Sequence, residues 1–202
     1  MPGENMGKTK RKEQSQATRE RIRNTAVQLM KEHSIDEISV TDICEKAEVG
    51  VGTFYYYYKT KDNIILEVFE ELDIRFADLY ESKAAETMTA YQYVLEHCLC
   101  YARFISETGV EFTSKVYSLQ SSKFVDTNRS IYRLLRLFLE KKQTENLMDE
   151  KFDIQEFCHL IAVCIRGMGF DWCLHDGDYD LLAATADFIE IFLVKYKKQL
   201  MA

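Results

Sequence analysis

A 202-residue chain whose one proline stands at position 2 has almost nothing in it that forbids helix. Only eight glycines accompany that proline, so the closely spaced turn residues that a β-rich chain needs are missing. Hydrophobic residues make up 47% of the chain, enough to fill a sizeable core. These facts predict an all-α protein.

Apolar spacing then divides the chain into about nine helices. Residues 1–13 are polar and read as a flexible basic arm. Ile22, Ala26, Leu29 and Met30 recur at i, i+4, i+7 and i+8, which predicts a helix from about Gln14 to His33. Ser34 to Ser39 connects it to a short second helix ending near Glu48. Ser39 is its N-cap and Asp42, three residues on, completes a near capping box. Val49-Gly50-Val51-Gly52-Thr53 is a break, followed at once by Phe54-Tyr55-Tyr56-Tyr57-Tyr58. Five aromatics in a row could form a strand. The short, closely spaced flanking helices and the i, i+4 pair Phe54/Tyr58 favour a third helix over about 51–57. Thr60 should cap a fourth, running to about Ala85. Five more are expected at Thr89–Ser106, Val110–Leu119, Lys123–Gln143, Asp153–Leu174 and from an Asp178 cap to about Lys198.

Two short helices joined by a three-residue turn form a helix-turn-helix. Cys44 and Ala47 are small enough to let the helices cross closely, and Ile43, Val49 and Phe54 plug the space between them. Such a unit lays its second helix in the DNA major groove. A net charge of −7 argues against a nucleic-acid partner, but its distribution does not. Residues 1–30 carry seven basic and three acidic side chains, a net of +4, whereas residues 62–202 net −9. A basic head on an acidic body suits a protein that touches phosphate with one end.

The run Thr18-Arg19 … Ala26 … Val40-Thr41-Asp42-Ile43 … Ala47-Glu48-Val49-Gly50-Val51-Gly52-Thr53-Phe54-Tyr55-Tyr56-Tyr57-Tyr58-Lys59-Thr60-Lys61 resembles the N-terminal module of the TetR (tetracycline-repressor-like) family. The likeness covers about 50 residues; beyond it only helix count and length agree. Glu48 stands where the family has glycine, Gly50 where it has a capping serine, and Tyr57 and Tyr58 where it has His and Phe. The resemblance implies domains at 14–61 (DNA binding) and 62–202 (effector binding and dimerisation). It also implies a repressor released from a palindromic operator by a small-molecule inducer. An activator and a cysteine-based redox sensor on the same fold remain alternatives.

Position on these helices then assigns roles. Phe54 and Tyr58 belong to the core. Thr53 and Tyr56 face base edges, Val51 can meet a thymine methyl, and Gly52 permits close backbone approach. Tyr55, Tyr57, Lys61, Ser39, Thr41, Gly50 and Arg19 complete the expected DNA contacts, with the stretch Lys8 to Arg19 along the backbone or in the minor groove. Pocket candidates are polar or aromatic residues on apolar helices: His97, Tyr101, Arg103, Phe112, Tyr117, His159, Arg166 and Trp172. Ile161, Cys164 and Met168, with Leu182, Thr185, Ile189 and Phe192, are expected to pair two copies through the last two long helices as a four-helix bundle. Gly167-x-Gly169 is expected to allow close packing or a kink at that seam.

Other classes find little support. Nucleophile-elbow, Walker and His-Glu-x-x-His patterns are lacking, Asp176 and Asp178 read as turn and cap residues, and no cofactor or metal is expected. No run reaches the ~18 apolar residues of a membrane span. Six cysteines, at 44, 98, 100, 158, 164 and 173, include no Cys-x-x-Cys pair and read as reduced thiols in a cytoplasmic protein. Cys98 and Cys100 lie on different faces of a helix and are poorly placed to bridge.

Overall fold

The computed structural model describes residues 3–33, 35–119 and 126–200. Among them eleven helices and no strand are found. The chain divides into two compact units between Glu67 and Val68.

The first unit holds α1 (Gly3–Glu32), α2 (Val40–Lys46), α3 (Val51–Tyr57) and the start of α4 (Lys61–Glu81). Its core is the apolar stripe expected of α1, namely Ile22, Ala26, Leu29 and Met30, closed by Ile43, Cys44, Ala47, Phe54, Tyr58, Ile64 and Ile65. Ser39 caps α2 as a full capping box. Its hydroxyl accepts from the Asp42 N–H, and the Asp42 carboxylate accepts from the Ser39 N–H at 2.7 Å. The helix ends in a Schellman turn, with Val49 N–H donating to Cys44 O (3.0 Å) and Glu48 N–H to Glu45 O (3.2 Å). That turn forces Glu48 to φ 53, a left-handed conformation normally given to glycine.

The second unit is organised around α6 (Ala90–Thr108), which packs against α10 (Leu181–Val194), α9 (Ile154–Leu174), α8 (Ser130–Thr144) and α7 (Val110–Ser118). A Thr89/Gln92 capping box starts α6, and its Tyr93, Val94, Cys98, Tyr101, Phe104 and Ile105 are buried. From α10, Leu181, Thr185, Ile189 and Leu193 meet this core. At the end of α9 a second Schellman turn places Gly177 at φ 72. A Cβ there would lie 2.7 Å from Val110 Cγ2 and 3.0 Å from Trp172 Cζ2, so this position tolerates no larger residue.

Several expected boundaries move. Helix α1 begins at Gly3 rather than Gln14, because residues 3–13 contain no proline and many good helix formers. Thr60 does not cap α4 through its own oxygen; its N–H donates to Asn63 Oδ1 at 3.1 Å. Helix α4 stops at Glu81, and Ser82, whose hydroxyl accepts from the Ala85 N–H, starts a separate α5 (Lys83–Thr87). Helix α8 begins at Ser130, since Asp126 folds the preceding residues into a turn by accepting from the Asn128 N–H. Lys123, the expected start, lies outside the described residues, as do Ser34 and the Lys8 side chain. Asp180, not Asp178, caps α10, accepting from both Leu182 and Ala183. A short α11 (Lys197–Leu200) follows it.

Candidate functional site

Helix α3 carries two opposed faces. Phe54 is fully buried, and Tyr58, its C-cap, is 2% exposed. On the other side Tyr56 is 79% exposed and Tyr55 54%, beside the exposed Val51 and Gly52. Large aromatic and aliphatic groups held out in water on a rigid seven-residue helix are costly unless a partner covers them. Ring contacts fix their posture: Tyr56 meets Tyr57 edge-on at 4.9 Å, and Tyr55 meets Phe54 edge-on at 5.5 Å. Thr53 is half-buried, and Gly50 opens the helix without a side-chain cap. Thr41 is exposed in the first turn of α2.

Four of the expected DNA contacts have intramolecular partners in the structure. Lys61 Nζ donates to the carbonyls of Ile35 (2.5 Å) and Ile38 (3.0 Å), so its ammonium closes the connection between α1 and α2. Arg19 pairs with Glu67 at 2.6 Å and lies over the Tyr58 ring at 5.5 Å. The Ser39 hydroxyl donates to Asp42 as well as capping α2. Tyr57 Oη is 3.0 Å from Ser15 Oγ and links α3 to α1. The reason is common to all four. Each polar group meets a carbonyl, a carboxylate or a hydroxyl within its own unit, and that neighbour satisfies it. Sequence reasoning missed Glu67 and Ser15; neither belongs to the motif, and only the helix crossing brings them near. Burial pushes the Tyr58 hydroxyl above its ordinary range, keeping it protonated and able to donate to Glu67.

In the second unit, three of the pocket candidates join through one polar chain. Tyr117 Oη donates to Arg166 O (3.0 Å), and Tyr101 Oη, 2.9 Å away, therefore donates to Tyr117. The Arg166 guanidinium donates to Tyr132 Oη at 2.6 Å. The chain ties α6, α7, α8 and α9 together. Gly169 makes it possible, because a Cβ there would stand 2.6 Å from Tyr117 Oη. This glycine is inside the unit and not at a seam between copies, whereas a Cβ on exposed Gly167 would meet nothing within 4 Å. Trp172 and Phe112 are core residues, and the Trp172 indole is satisfied by Tyr179 O. Arg103 pairs with Glu96. A cavity of about 390 Å³ lies between α8 and α9, lined in part by Tyr132, Arg136, Cys158 and His159. Of the expected pocket residues only His159 reaches it; Tyr132 and Arg136 were not anticipated, although their i, i+4 spacing on α8 was visible.

Three of the seven expected pairing residues need correction. Ile161, Ile189 and Thr185 are buried within their own chain. Phe192 packs among Phe157 and Tyr196, and Cys164, Met168 and Leu182 are half-buried. The widest apolar stripe of each helix is taken up by its own core. A second stripe is left in water: Val163, Phe170 and Leu174 on α9, with Phe188, Ile191 and Val194 on α10. Among the described residues α9 is the one helix long and apolar enough to cross a membrane by length and composition. Apolar side chains that a helix leaves in water as a stripe call for cover.

Residues 22–68 match the family model described as "Bacterial regulatory proteins, tetR family". The "Fatty acid metabolism regulator protein" of Bacillus subtilis (strain 168) is 22% identical over 183 residues, covering 85% of this chain and 92% of that protein. Among solved structures, Thermus thermophilus FadR in complex with lauroyl-CoA is similar with a TM-score of 0.66 and 17% identity, over 87% of this chain and 93% of that one. Bacillus subtilis FadR in complex with stearoyl-CoA gives 0.60 and 20%, over 85% and 95%. With the helix-turn-helix and its outward tyrosines, the family match makes residues 22–68 a DNA-binding module of the TetR type, and the chain as a whole shares the all-helical fold of the FadR regulators.

Proposed function

We propose that this protein is a repressor that binds a palindromic operator as a homodimer and leaves it when a small molecule occupies the second unit. The observation that carries the reading is the outward face of α3, where Val51, Tyr55 and Tyr56 stand in solvent above a fully buried Phe54. Tyr56 and Val51 read base edges and thymine methyls; Tyr55, Thr41 and Thr53 with the backbone of Gly50 and Gly52 supply the remaining contacts. Lys61, Arg19 and Ser39 act behind them, holding α1, α2 and α4 in place. Residues 14–61 form the reading domain, 62–202 the sensing and pairing domain, and 1–13 a basic extension that adds attraction to phosphate.

Pairing uses the second apolar stripe, Val163, Gly167, Phe170 and Leu174 against Phe188, Ile191 and Val194 of a partner copy. A homodimer presents two recognition helices to a palindrome, whose half-sites lie about 34–36 Å apart. A ligand that binds better to a dimer with another spacing releases the DNA, and only differential affinity can do this. Two similar structures hold acyl-CoA thioesters and one relative is named for fatty acid metabolism, which supports an acyl-CoA as inducer. In the cavity between α8 and α9, Arg136 offers a cation to an anionic head, beside the carboxylates of Asp153 and Glu156 in the same lining.

The test is fluorescence anisotropy on a labelled fragment of the DNA upstream of the protein's own coding sequence, titrated with lauroyl-CoA. Release at micromolar lauroyl-CoA, and a steep loss of binding with salt, are expected. Tyr56→Ala should weaken this fragment at least tenfold and random DNA little. Equal losses on both would remove Tyr56 as a base reader.

A further inference from the structure

Two polar atoms deep in the second unit have no partner among the described residues: Tyr93 Oη and His97 Nδ1. Both residues are 0% exposed. They stand one turn apart on α6 with ring centroids 6.2 Å apart. Phe76 of α4 stacks on the imidazole at 4.2 Å, and Phe138 of α8 on the phenol ring at 3.7 Å. Buried polar atoms are nearly always paired, so two orphans in one aromatic environment call for an explanation.

The hydrogen-bond roles are fixed. His97 Nε2 is 3.0 Å from Ile131 O. A carbonyl only accepts, so Nε2 carries the proton. Burial keeps the ring neutral, which leaves Nδ1 as a bare acceptor. Burial likewise keeps the Tyr93 hydroxyl protonated, with both a donor and lone pairs to offer. An alcohol answers both atoms, donating to one and accepting from the other. A carboxylate would set its lone pairs against that of Nδ1, and a plain alkyl group would satisfy neither.

We propose that Tyr93 and His97 form a subsite for an uncharged hydroxyl group on an otherwise apolar ligand. This rests on the reading that the second unit binds a small molecule, and it adds hydroxylated aliphatic or aromatic compounds as a ligand class separate from the acyl-CoA. The hydroxyl is bound in the interior, apart from the Arg136 and His159 cavity.

Two isomeric probes isolate the donor: 1-dodecanol and 1-methoxyundecane differ in little beyond the O–H. Calorimetric titration of the full chain should show 1-dodecanol binding at least tenfold tighter. Tyr93→Phe should weaken both probes, because either oxygen can accept from the phenol, without lowering the melting temperature of the ligand-free protein, since the lost hydroxyl had no partner. His97→Leu should abolish the preference itself, because only the alcohol can donate to Nδ1. Equal affinity of the wild type for both probes, binding of neither, or a preference that survives His97→Leu overturns the subsite, as does a high-resolution structure in which 1-dodecanol leaves a fixed water on both atoms. Lauroyl-CoA run in parallel on operator DNA separates the two claims. DNA release without an alcohol preference would remove the subsite alone; an alcohol preference without release would remove the acyl-CoA assignment alone.

Discussion

Glu48→Gly isolates one backbone conformation in the turn that aims α3. Glu48 is the left-handed residue of the Schellman turn after α2, at φ 53, and its side chain is exposed. An L-residue pays about 1–2 kcal/mol for that conformation. Glycine removes the strain, but the glycine chain is freer when unfolded, which returns about 0.4–1 kcal/mol. The net expected gain is roughly 0.5–1 kcal/mol, a rise of about 1–4 °C in melting temperature for a chain of this size. Glu48 also carries a negative charge beside the proposed DNA face, so Glu48→Gln is the control. It removes the charge and keeps the Cβ. Thermal unfolding followed by circular dichroism should place Glu48→Gly above the wild type and Glu48→Gln level with it. Both substitutions should raise DNA affinity to a similar extent at low salt. A gain in stability shared by the glutamine variant, or no gain with glycine, would refute the strain argument.

Three other outcomes are expected. Lys61→Met should cost about 1–3 kcal/mol of stability in chemical unfolding, because the carbonyls of Ile35 and Ile38 lose a charged donor; an unchanged midpoint with weaker DNA binding would restore Lys61 as a phosphate contact. Ile191→Glu, at a residue 74% exposed, should leave the fold intact and reduce the light-scattering mass to that of one chain, 23.7 kDa; a persistent dimer would move the seam elsewhere. Burial lowers the His97 pKa to about 3, so between pH 7 and pH 5 the unfolded imidazole takes up a proton that the folded one refuses. Stability should therefore fall with acidity, by roughly 2 kcal/mol at pH 5, and His97→Leu should flatten that slope. Parallel acid titrations of the two proteins with the same slope would contradict a neutral, buried ring.

The all-helical class followed from the lack of proline, and α2, α3 and the crossing between them followed from local signals. Ser39 and Asp42 cap α2, Phe54 and Tyr58 share a face, and a residue is forced left-handed at Glu48. These are decided within a few residues of each other, so a sequence carries them. The motif also told which tyrosines face outward, because seven residues of helix have only one buried side. What sequence could not supply was the partner of each polar group across helices. Lys61, Arg19 and Tyr57 are presented to phosphate by pattern alone, yet they meet Ile35 and Ile38, Glu67 and Ser15, residues distant in the chain that only packing brings within reach. The same limit explains the pairing surface. Periodicity identified the strongest apolar stripes of α9 and α10, but a stripe does not say what covers it. Packing against α6 assigned Ile161 and Ile189 to the chain's own core and left Val163, Phe170 and Ile191 to the solvent. In the interior, composition put His97 on an apolar helix; only the fold gave its Nε2 a carbonyl and left its Nδ1 with none.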